Sequence, residues 1–412
     1  MLRLLSGLVV GVLVARFLGP ENYGLLNYAM SFTALFLAFS GLGLDSIMVR
    51  ELLNHPDLRT QIMGTAFRLK MIAAIIILLL VFVAVMLGNE TTEVKIMMLI
   101  LASAALFQSF SVIEYFFQSE VQSKLVVYAN VISLIITSGL KIWLIIIEAE
   151  LVFFAVAFTL DAVVVAAGMV YFYRIAGHTP LDWKFDLGTA RDLLRQSWPL
   201  VLASVVITVY MKIDQIMIKD MLGPAENGYY AAAVRISETW YFIPMAICNS
   251  LFPAIINAKN RADGSYEIRL QRLFDLMVGL ALLVAIPITL LSKPLILLLF
   301  GPDYASAAGV LTVHIWAGLF VSLGVSGSLW LVSEKLQKLS FYRTATGAVV
   351  NIVLNFIFIP RYGIVGAAVT TLISQFMAAL FFDVFFKRTR GVFLMKMKAL
   401  LLISPIRKLL KP

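Results

Sequence analysis

Residues 18–24 read Leu-Gly-Pro-Glu-Asn-Tyr-Gly, and residues 222–228 read Leu-Gly-Pro-Ala-Glu-Asn-Gly. The two strings lie 204 positions apart, their Gly, Pro and final Gly coincide without a gap, and each lies between two long apolar runs. Such a repeat is typical of transporters that are built from two related halves with the passage between them. It predicts an N-terminal lobe at 1–190, a C-terminal lobe at 191–386 and a basic cytoplasmic tail at 387–412.

The composition places the chain in a membrane, because 61% of its 412 residues are hydrophobic and only 14% are charged. Apolar runs such as 71–87 are continuous rather than alternating, which indicates helices and not barrel strands. Runs of about 17 to 25 apolar residues are long enough to cross a bilayer. We count twelve, at roughly 1–18, 25–48, 71–88, 95–117, 125–147, 151–173, 197–218, 228–256, 276–299, 308–332, 340–359 and 364–386.

The sequence therefore predicts an all-α polytopic membrane protein, with twelve transmembrane helices in two six-helix repeat lobes around a central cavity. The 204-residue offset maps the start of the run at 197–218 to a point before Met1. We therefore expect the first helix to begin upstream of this residue.

The positive charges fall on one side of the predicted membrane. With the amino terminus in the cytoplasm, 25 of the 33 Lys and Arg residues lie in cytoplasmic connections and the tail, and six lie at or near the opposite face. This positive-inside pattern predicts that both termini are cytoplasmic. Anionic lipid headgroups account for the net charge of +9, so no nucleic acid partner is expected. Residues 392–404, where two lysines stand among Leu, Met and Phe, suit an interfacial helix.

Several chemistries are missing from the sequence. It has no Gly-rich phosphate loop that ends in Lys-Ser or Lys-Thr, and no His-Glu-x-x-His or Cys-x-x-Cys spacing. We therefore expect neither a cofactor nor a metal. The extracytoplasmic connections are too short to hold the donor and acceptor of a sugar-transfer reaction, which argues against an enzyme. The histidines suit structural or solvated positions first, and His314, in the tenth run, is the one candidate for a proton carrier.

Polar residues inside the second and eighth runs lie at matching repeat positions. In the second run these are Asn27, Ser31, Ala34, Ala38, Gly41 and Asp45; in the eighth they are Ala231, Arg235, Glu238, Phe242, Met245 and Asn249. Steps of three and four keep each set on one helix face. The small face of the second run suits either close helix packing or substrate contact. Arg235 and Glu238 either pair with each other, or Arg235 binds an anionic group of the cargo.

The seventh run carries a polar stripe of Ser204, Thr208, Lys212, Gln215 and Lys219. Lys212 and Arg235, which lie within predicted spans, are the only two of the 33 Lys and Arg residues that this charge count assigns to neither face. Asp214 lies about 200° from Lys212 around the helix, so it faces another neighbour. We interpret Lys212 as a second cavity cation and Asp214 as a lobe-internal partner or a coupling-ion site. Lesser candidates are Asp161, Glu114, Asp275 and Asp383.

Four strings, at 15–24, 212–218, 228–238 and 351–368, give the chain a resemblance to a known family. Nearly end to end, it resembles the polysaccharide-exporter branch of the multidrug/oligosaccharidyl-lipid/polysaccharide flippase superfamily. The resemblance implies a flippase of the cell membrane with a cationic cavity. Its cargo would be polyprenyl-diphosphate-linked oligosaccharide, moved from the inner to the outer leaflet for surface polysaccharide synthesis. Membrane lipids and a polysaccharide polymerase or other assembly proteins are the partners it implies.

With that resemblance, the in-span residues take predicted roles. We expect substrate binding by Arg235, Lys212, Asn27, Ser31 and Asp45, and ion coupling by Asp214 and Glu238. Two other functions stay open: a drug or metabolite antiporter of the same superfamily, and an envelope-assembly scaffold that transports nothing. The in-span cations favour an anionic cargo over a cationic drug.

Overall fold

In a computed structural model, residues 2–261 and 265–401 are described, and every regular element in these two ranges is a helix. The α-helices are α1 (Leu2–Leu37), α2 (Asp45–Asn54), α3 (Arg59–Leu87), α4 (Thr92–Ala102), α5 (Ala104–Gln108), α6 (Val112–Ser119), α7 (Ser123–Ile146), α8 (Leu151–Ile175), α9 (Leu187–Leu222), α10 (Pro224–Thr239), α11 (Phe242–Arg261), α12 (Ser265–Phe300), α13 (Ala307–His314), α14 (Ala317–Ser333), α15 (Gln337–Ala379) and α16 (Arg390–Leu400). Short 3-10 turns lie at Pro56–Leu58, Ser109–Ser111, Pro180–Asp182, Pro302–Tyr304 and Phe381–Val384. Residues 402–412 of the predicted tail lie outside the described ranges.

The chain is a multi-pass membrane protein. Among the described residues, nine helical stretches are long and apolar enough to cross a bilayer: Pro56–Leu87, Thr92–Ser119, Ser123–Ile146, Leu151–Ile175, Leu187–Leu222, Pro224–Lys259, Ser265–Phe300, Ala307–Ser333 and Gln337–Val384. Their outward faces are rich in Leu and Ile, as on α3, where Ile76 and Leu79 are exposed and Ile77 is buried. The count of twelve spans and their arrangement in two six-helix lobes stay predictions.

Contacts within the chain divide it into two compact units, Met1–Ile216 and Met217–Pro412. Each unit contains one of the repeated Gly-Pro corners. Gly19 has φ +70° and ψ 171°, and Gly223 has φ +102° and ψ 171°. Only glycine adopts this region without strain, and the proline that follows begins the next helical segment, where its missing N–H is no loss. The two matched strings thus form the same local corner. The lobe boundary between residues 190 and 191 stays a prediction.

A second corner divides α15. Gly363 has φ +61° and ψ −148°, and the Thr370 hydroxyl donates a hydrogen bond to Oδ1 of Asn355. These two residues would be about 22 Å apart along a continuous helix. The chain therefore folds back at Gly363. Gly366 allows the close return, because a Cβ there would lie 2.4 Å from the Phe358 carbonyl oxygen.

The first turn of α9 is held by a capping aspartate. Asp186 precedes α9 and accepts hydrogen bonds from the backbone N–H of Thr189 at 2.7 Å and from its hydroxyl at 2.9 Å. These bonds stabilise the carboxylate and hold the pKa of Asp186 below its ordinary value. Asp186 therefore caps α9 in its ionised form.

The helix α16 packs into the second unit through a buried charge. Its buried face is Val392, Lys396 and Ala399, and Lys396 is fully buried. The Lys396 ammonium donates to Oδ2 of Asp383 at 2.6 Å and to the Ala379 carbonyl at 2.7 Å. Burial lowers the pKa of Lys396 to about 8, against the opposing effect of Asp383. A helix thus covers most of the stretch expected at 392–404, with Lys396 facing a carboxylate inside the unit. Its interfacial position stays a prediction, and 402–404 lie outside the described residues.

We predict that Lys396→Met lowers the free energy of unfolding by about 3 to 5 kcal/mol, because it leaves the Asp383 carboxylate buried without its cation. The measurement is thermal unfolding of the detergent-purified protein. Lys398→Met is the matched control, since Lys398 is exposed on the same helix. The double variant Lys396→Met/Asp383→Leu should recover most of the loss. Equal effects of Lys396→Met and Lys398→Met would contradict this account of α16.

Candidate functional site

In the first unit, α1 and α9 are joined by a buried polar contact between predicted site helices. Ser31 of α1 donates a hydrogen bond to Oε1 of Gln215 at 2.7 Å, and the two residues are only 2% and 5% exposed. Asn27, one turn earlier, is half-buried and donates to the Tyr23 carbonyl of its own helix at 2.7 Å. The small polar face of α1 therefore takes part in helix packing, which is the first of the two interpretations given above, the other being substrate contact.

Lys212 and Asp214 occupy different surroundings on α9. Asp214 is 5% exposed, whereas Lys212 is half-buried. This difference agrees with their separation of about 200° around the helix. Lys212 forms no hydrogen bond or ion pair with the described residues of its own unit. Its ammonium is thus available to a ligand in a way that a paired lysine is not.

Asp45, predicted to bind substrate, begins α2 and belongs to a network that reaches α3 and α6. Its carboxylate accepts a hydrogen bond from the Tyr115 hydroxyl. The Lys70 ammonium donates to the Ser111 hydroxyl at 2.6 Å and to the Tyr115 hydroxyl at 3.2 Å. Asp45 is exposed, so this network connects the buried Lys70 to the surface of the unit.

The position of Lys70 corrects the charge analysis. That analysis counted Lys70 in a connection ahead of a span at 71–88, but α3 begins at Arg59 and Lys70 is 3% exposed. A signal for this was present in the sequence, since Lys70 shares the buried face of Ala74, Ile77 and Val81 at steps of four, three and four. Sequence reasoning missed it because a lysine next to an apolar run is usually at the membrane surface.

A polar cavity of about 240 Å³ lies beside this network in the first unit. Its polar wall consists of Gln108, Ser111, Glu114, Asn130 and Asp161. The two carboxylates, predicted separately as lesser candidates, are thus brought together from α6 and α8. Their oxygens are fixed by hydrogen bonds: Asp161 accepts from Ser133 at 2.7 Å, and Glu114 accepts from Gln118 at 3.2 Å.

The cavity has the oxygen donors that hard cations prefer, and its volume also suits ordered water. Among the described residues, however, no group of three or more His, Cys, Asp or Glu side chains is placed to hold a metal ion. Sequence reasoning did not find the cavity, because Asn130 and Asp161 come from α7 and α8 and have no common spacing with Gln108, Ser111 and Glu114.

In the second unit, α10 presents two different faces. Ser237 is fully buried and its hydroxyl lies 2.8 Å from Nδ1 of His314, and the Tyr230 hydroxyl lies 3.3 Å from that of Thr371. This face packs against α13 and α15. Arg235 and Glu238 lie on the half-buried remainder of the helix. His314 thus has a structural contact to α10, and its role as a proton carrier stays a prediction.

The other lesser candidates of the second unit have local partners. Asp275 of α12 accepts a hydrogen bond from Gln271 at 2.9 Å, and Asp383 forms the ion pair with Lys396 described above. Asp383 thus holds α16 directly, and Asp275 contacts Gln271, which also donates to the Met395 carbonyl of α16 at 3.0 Å. Among the predicted cations, Arg235 and Lys212 stay half-buried, one in each unit.

We predict that Tyr115→Phe lowers the free energy of unfolding by about 1.5 to 3 kcal/mol, because the hydroxyl that joins Asp45 to the buried Lys70 is removed. Thermal unfolding in detergent measures the loss. Tyr128→Phe is the matched control, since Tyr128 is 54% exposed on α7. The network has no stabilising role if the two variants unfold at the same temperature.

Comparison with known proteins gives end-to-end matches. Residues 1–259 match the family described as polysaccharide biosynthesis protein, and residues 199–357 match the family MatE. The capsular polysaccharide biosynthesis protein CapF of Staphylococcus aureus is 22% identical over 94% of this chain and 96% of its own. The putative O-antigen transporter of Shigella flexneri is 22% identical over 92% of this chain and 93% of its own.

A solved structure has the same fold. The lipid II flippase MurJ, in an inward closed conformation, superposes with a TM-score of 0.76 over 100% of this chain and 91% of its own, at 16% sequence identity. At this identity the likeness concerns the fold alone.

Proposed function

Since the chain belongs to the polysaccharide biosynthesis protein family, in the polysaccharide-exporter branch of the multidrug/oligosaccharidyl-lipid/polysaccharide flippase superfamily, we propose that it is a lipid-linked oligosaccharide flippase. It carries polyprenyl-diphosphate-linked oligosaccharide from the inner to the outer leaflet of the cell membrane for surface polysaccharide synthesis. The observation that carries this proposal is the family match over residues 1–259. The name of the O-antigen transporter, similar over nine tenths of both chains, supports it.

The chemistry of such a cargo explains the half-buried cations. Its diphosphate is anionic and cannot cross hydrocarbon without compensating charge, and guanidinium and ammonium groups supply that charge. We propose that Arg235 of α10 and Lys212 of α9 bind the diphosphate, Arg235 through two parallel hydrogen bonds. Lys396 does not suit this role, because it is fully buried whereas Arg235 and Lys212 are half-buried.

The remaining predicted residues have proposed roles consistent with their positions. Asn27, Ser31 and Asp45 contact the sugar headgroup, and Ser31 does so by exchanging its hydrogen bond to Gln215. Asp214 and Glu238 couple transport to an ion. Twelve helices in two six-helix lobes, with both termini in the cytoplasm, expose the site to one leaflet at a time, as repeat transporters do. Transport of this kind needs no catalytic step.

A second function is a drug or metabolite antiporter, which the MatE match over residues 199–357 favours. The two functions differ in the charge of the cargo. Arg235 and Lys212 suit an anionic headgroup and repel a cationic drug. Export of cationic dyes from cells that express this protein, with no effect on lipid-linked glycans, would support the antiporter instead.

We predict that Arg235→Ala and Lys212→Ala each lower the flipping rate at least about thirtyfold, the loss that corresponds to about 2 kcal/mol for a truncated charge contact. Arg235→Lys should keep part of the rate, because the charge remains while the two-pronged geometry is lost. The assay is translocation of a fluorescent polyprenyl-diphosphate glycolipid in proteoliposomes. Arg191→Ala, an exposed change on α9, is the control.

The alternative of a structural ion pair makes a different prediction. If Arg235 only neutralises Glu238, each single truncation leaves a buried charge and mainly lowers the amount of folded protein. The double variant Arg235→Met/Glu238→Met then restores both folding and flipping. Full flipping in that double variant would overturn the assignment of Arg235 to the cargo.

A further inference from the structure

The first unit contains an apolar trough of about 420 Å³ between α5 and α8. Its apolar wall consists of Phe107, Phe110, Val163, Ala166, Ala167 and Val170. The trough exists because α5 ends at Gln108 in a 3-10 turn and because the facing positions of α8 are alanines, whose short side chains leave the space open. Such an apolar groove on helices of candidate spans suits an acyl chain.

One end of the trough is polar. Tyr171, which is 61% exposed, and Arg174, which is exposed in the last turn of α8, close it. Because α8 is a candidate span that ends at Ile175, these residues lie where lipid headgroups begin. The Arg174 guanidinium forms no hydrogen bond or ion pair with any residue that the structure describes. A cation therefore stands unneutralised at the mouth of an apolar groove.

A second apolar trough, of about 360 Å³, shares Phe110 with the first. It lies between α3 and the turn at Pro180–Asp182, and Arg68 contributes to its wall. Arg68 is exposed and its guanidinium lies 5.6 Å from the centroid of the Phe185 ring. Two apolar troughs thus meet at one phenylalanine, and each has an arginine in its wall.

We propose that this surface, made of the two troughs with Arg174 and Arg68, binds one anionic phospholipid. The acyl chains occupy the troughs and the phosphate binds Arg174, which matches the apolar and cationic parts of the surface to those of the lipid. The acidic residues Glu114 and Asp161 line the neighbouring polar cavity and not the trough, so they do not occupy this cation site. The proposal concerns a structural lipid and is independent of the cargo.

The test is native mass spectrometry of the delipidated, detergent-purified protein with added phosphatidylglycerol or phosphatidylcholine. We expect wild type to retain one phosphatidylglycerol in preference to phosphatidylcholine. Arg174→Gln should weaken phosphatidylglycerol retention about fivefold, the effect of one basic residue on an anionic lipid, and should leave phosphatidylcholine unchanged. Arg174→Lys should keep the preference.

A second variant tests the apolar part. Ala167→Phe fills the trough from an exposed position and should abolish retention of the lipid. The matched controls are Val156→Phe, an exposed apolar position of α8 outside the trough, and Arg191→Gln, an exposed arginine elsewhere. Thermal unfolding of each variant separates lost binding from lost folding.

Three outcomes would overturn the proposal: equal retention of the two phospholipids by wild type, an unchanged preference in Arg174→Gln, or unchanged retention in folded Ala167→Phe. Retention of polyprenyl phosphate with no retention of phosphatidylglycerol would also overturn it and would assign the trough to the cargo. The Arg235 and Lys212 variants test flipping separately, by its rate.

Discussion

A charged or polar group inside a bilayer must find a partner within the protein, because hydrocarbon offers none. This constraint explains why all the regular structure in the described ranges is helical, since a helix satisfies its own backbone. It also explains the side chains. Lys396 is fully buried and is held by Asp383 and a backbone carbonyl, and Lys70 is held by Ser111 and Tyr115. Each of these charges fixes the helices that supply its partners.

The same constraint applies to the cations that are only half-buried. Arg235 and Lys212 occupy membrane-spanning helices without the full burial of Lys70 or Lys396. A cation in that position is costly unless a protein partner, water or a ligand stabilises it. An anionic headgroup that crosses the membrane supplies such a ligand, which is why these two residues carry the proposed diphosphate site. Arg235 lies on the half-buried face of α10, while Ser237 holds another face against His314.

The features that follow from local chemistry could be predicted from the sequence. Glycine followed by proline at 19 and 223 is a local turn signal, and both glycines have positive φ. The break at Gly363 separates the two runs predicted at 340–359 and 364–386. The features that depend on tertiary packing could not be predicted. Arg343 and Lys396 have the sequence context of surface residues, yet they are buried because residues of neighbouring elements supply acceptors. The polar cavity with Glu114 and Asp161 could not be predicted for the same reason.

The central claim is that the protein moves a lipid-linked oligosaccharide across the membrane, and the distribution of that lipid between leaflets tests it most directly. Cells that lack the protein can be labelled with a membrane-impermeant reagent for the lipid-linked glycan, before and after permeabilisation. The account predicts that the glycan accumulates on the cytoplasmic leaflet and becomes reactive only after permeabilisation, and that expression of the wild-type chain restores labelling of intact cells. Unchanged labelling of intact cells in the absence of the protein would contradict the account.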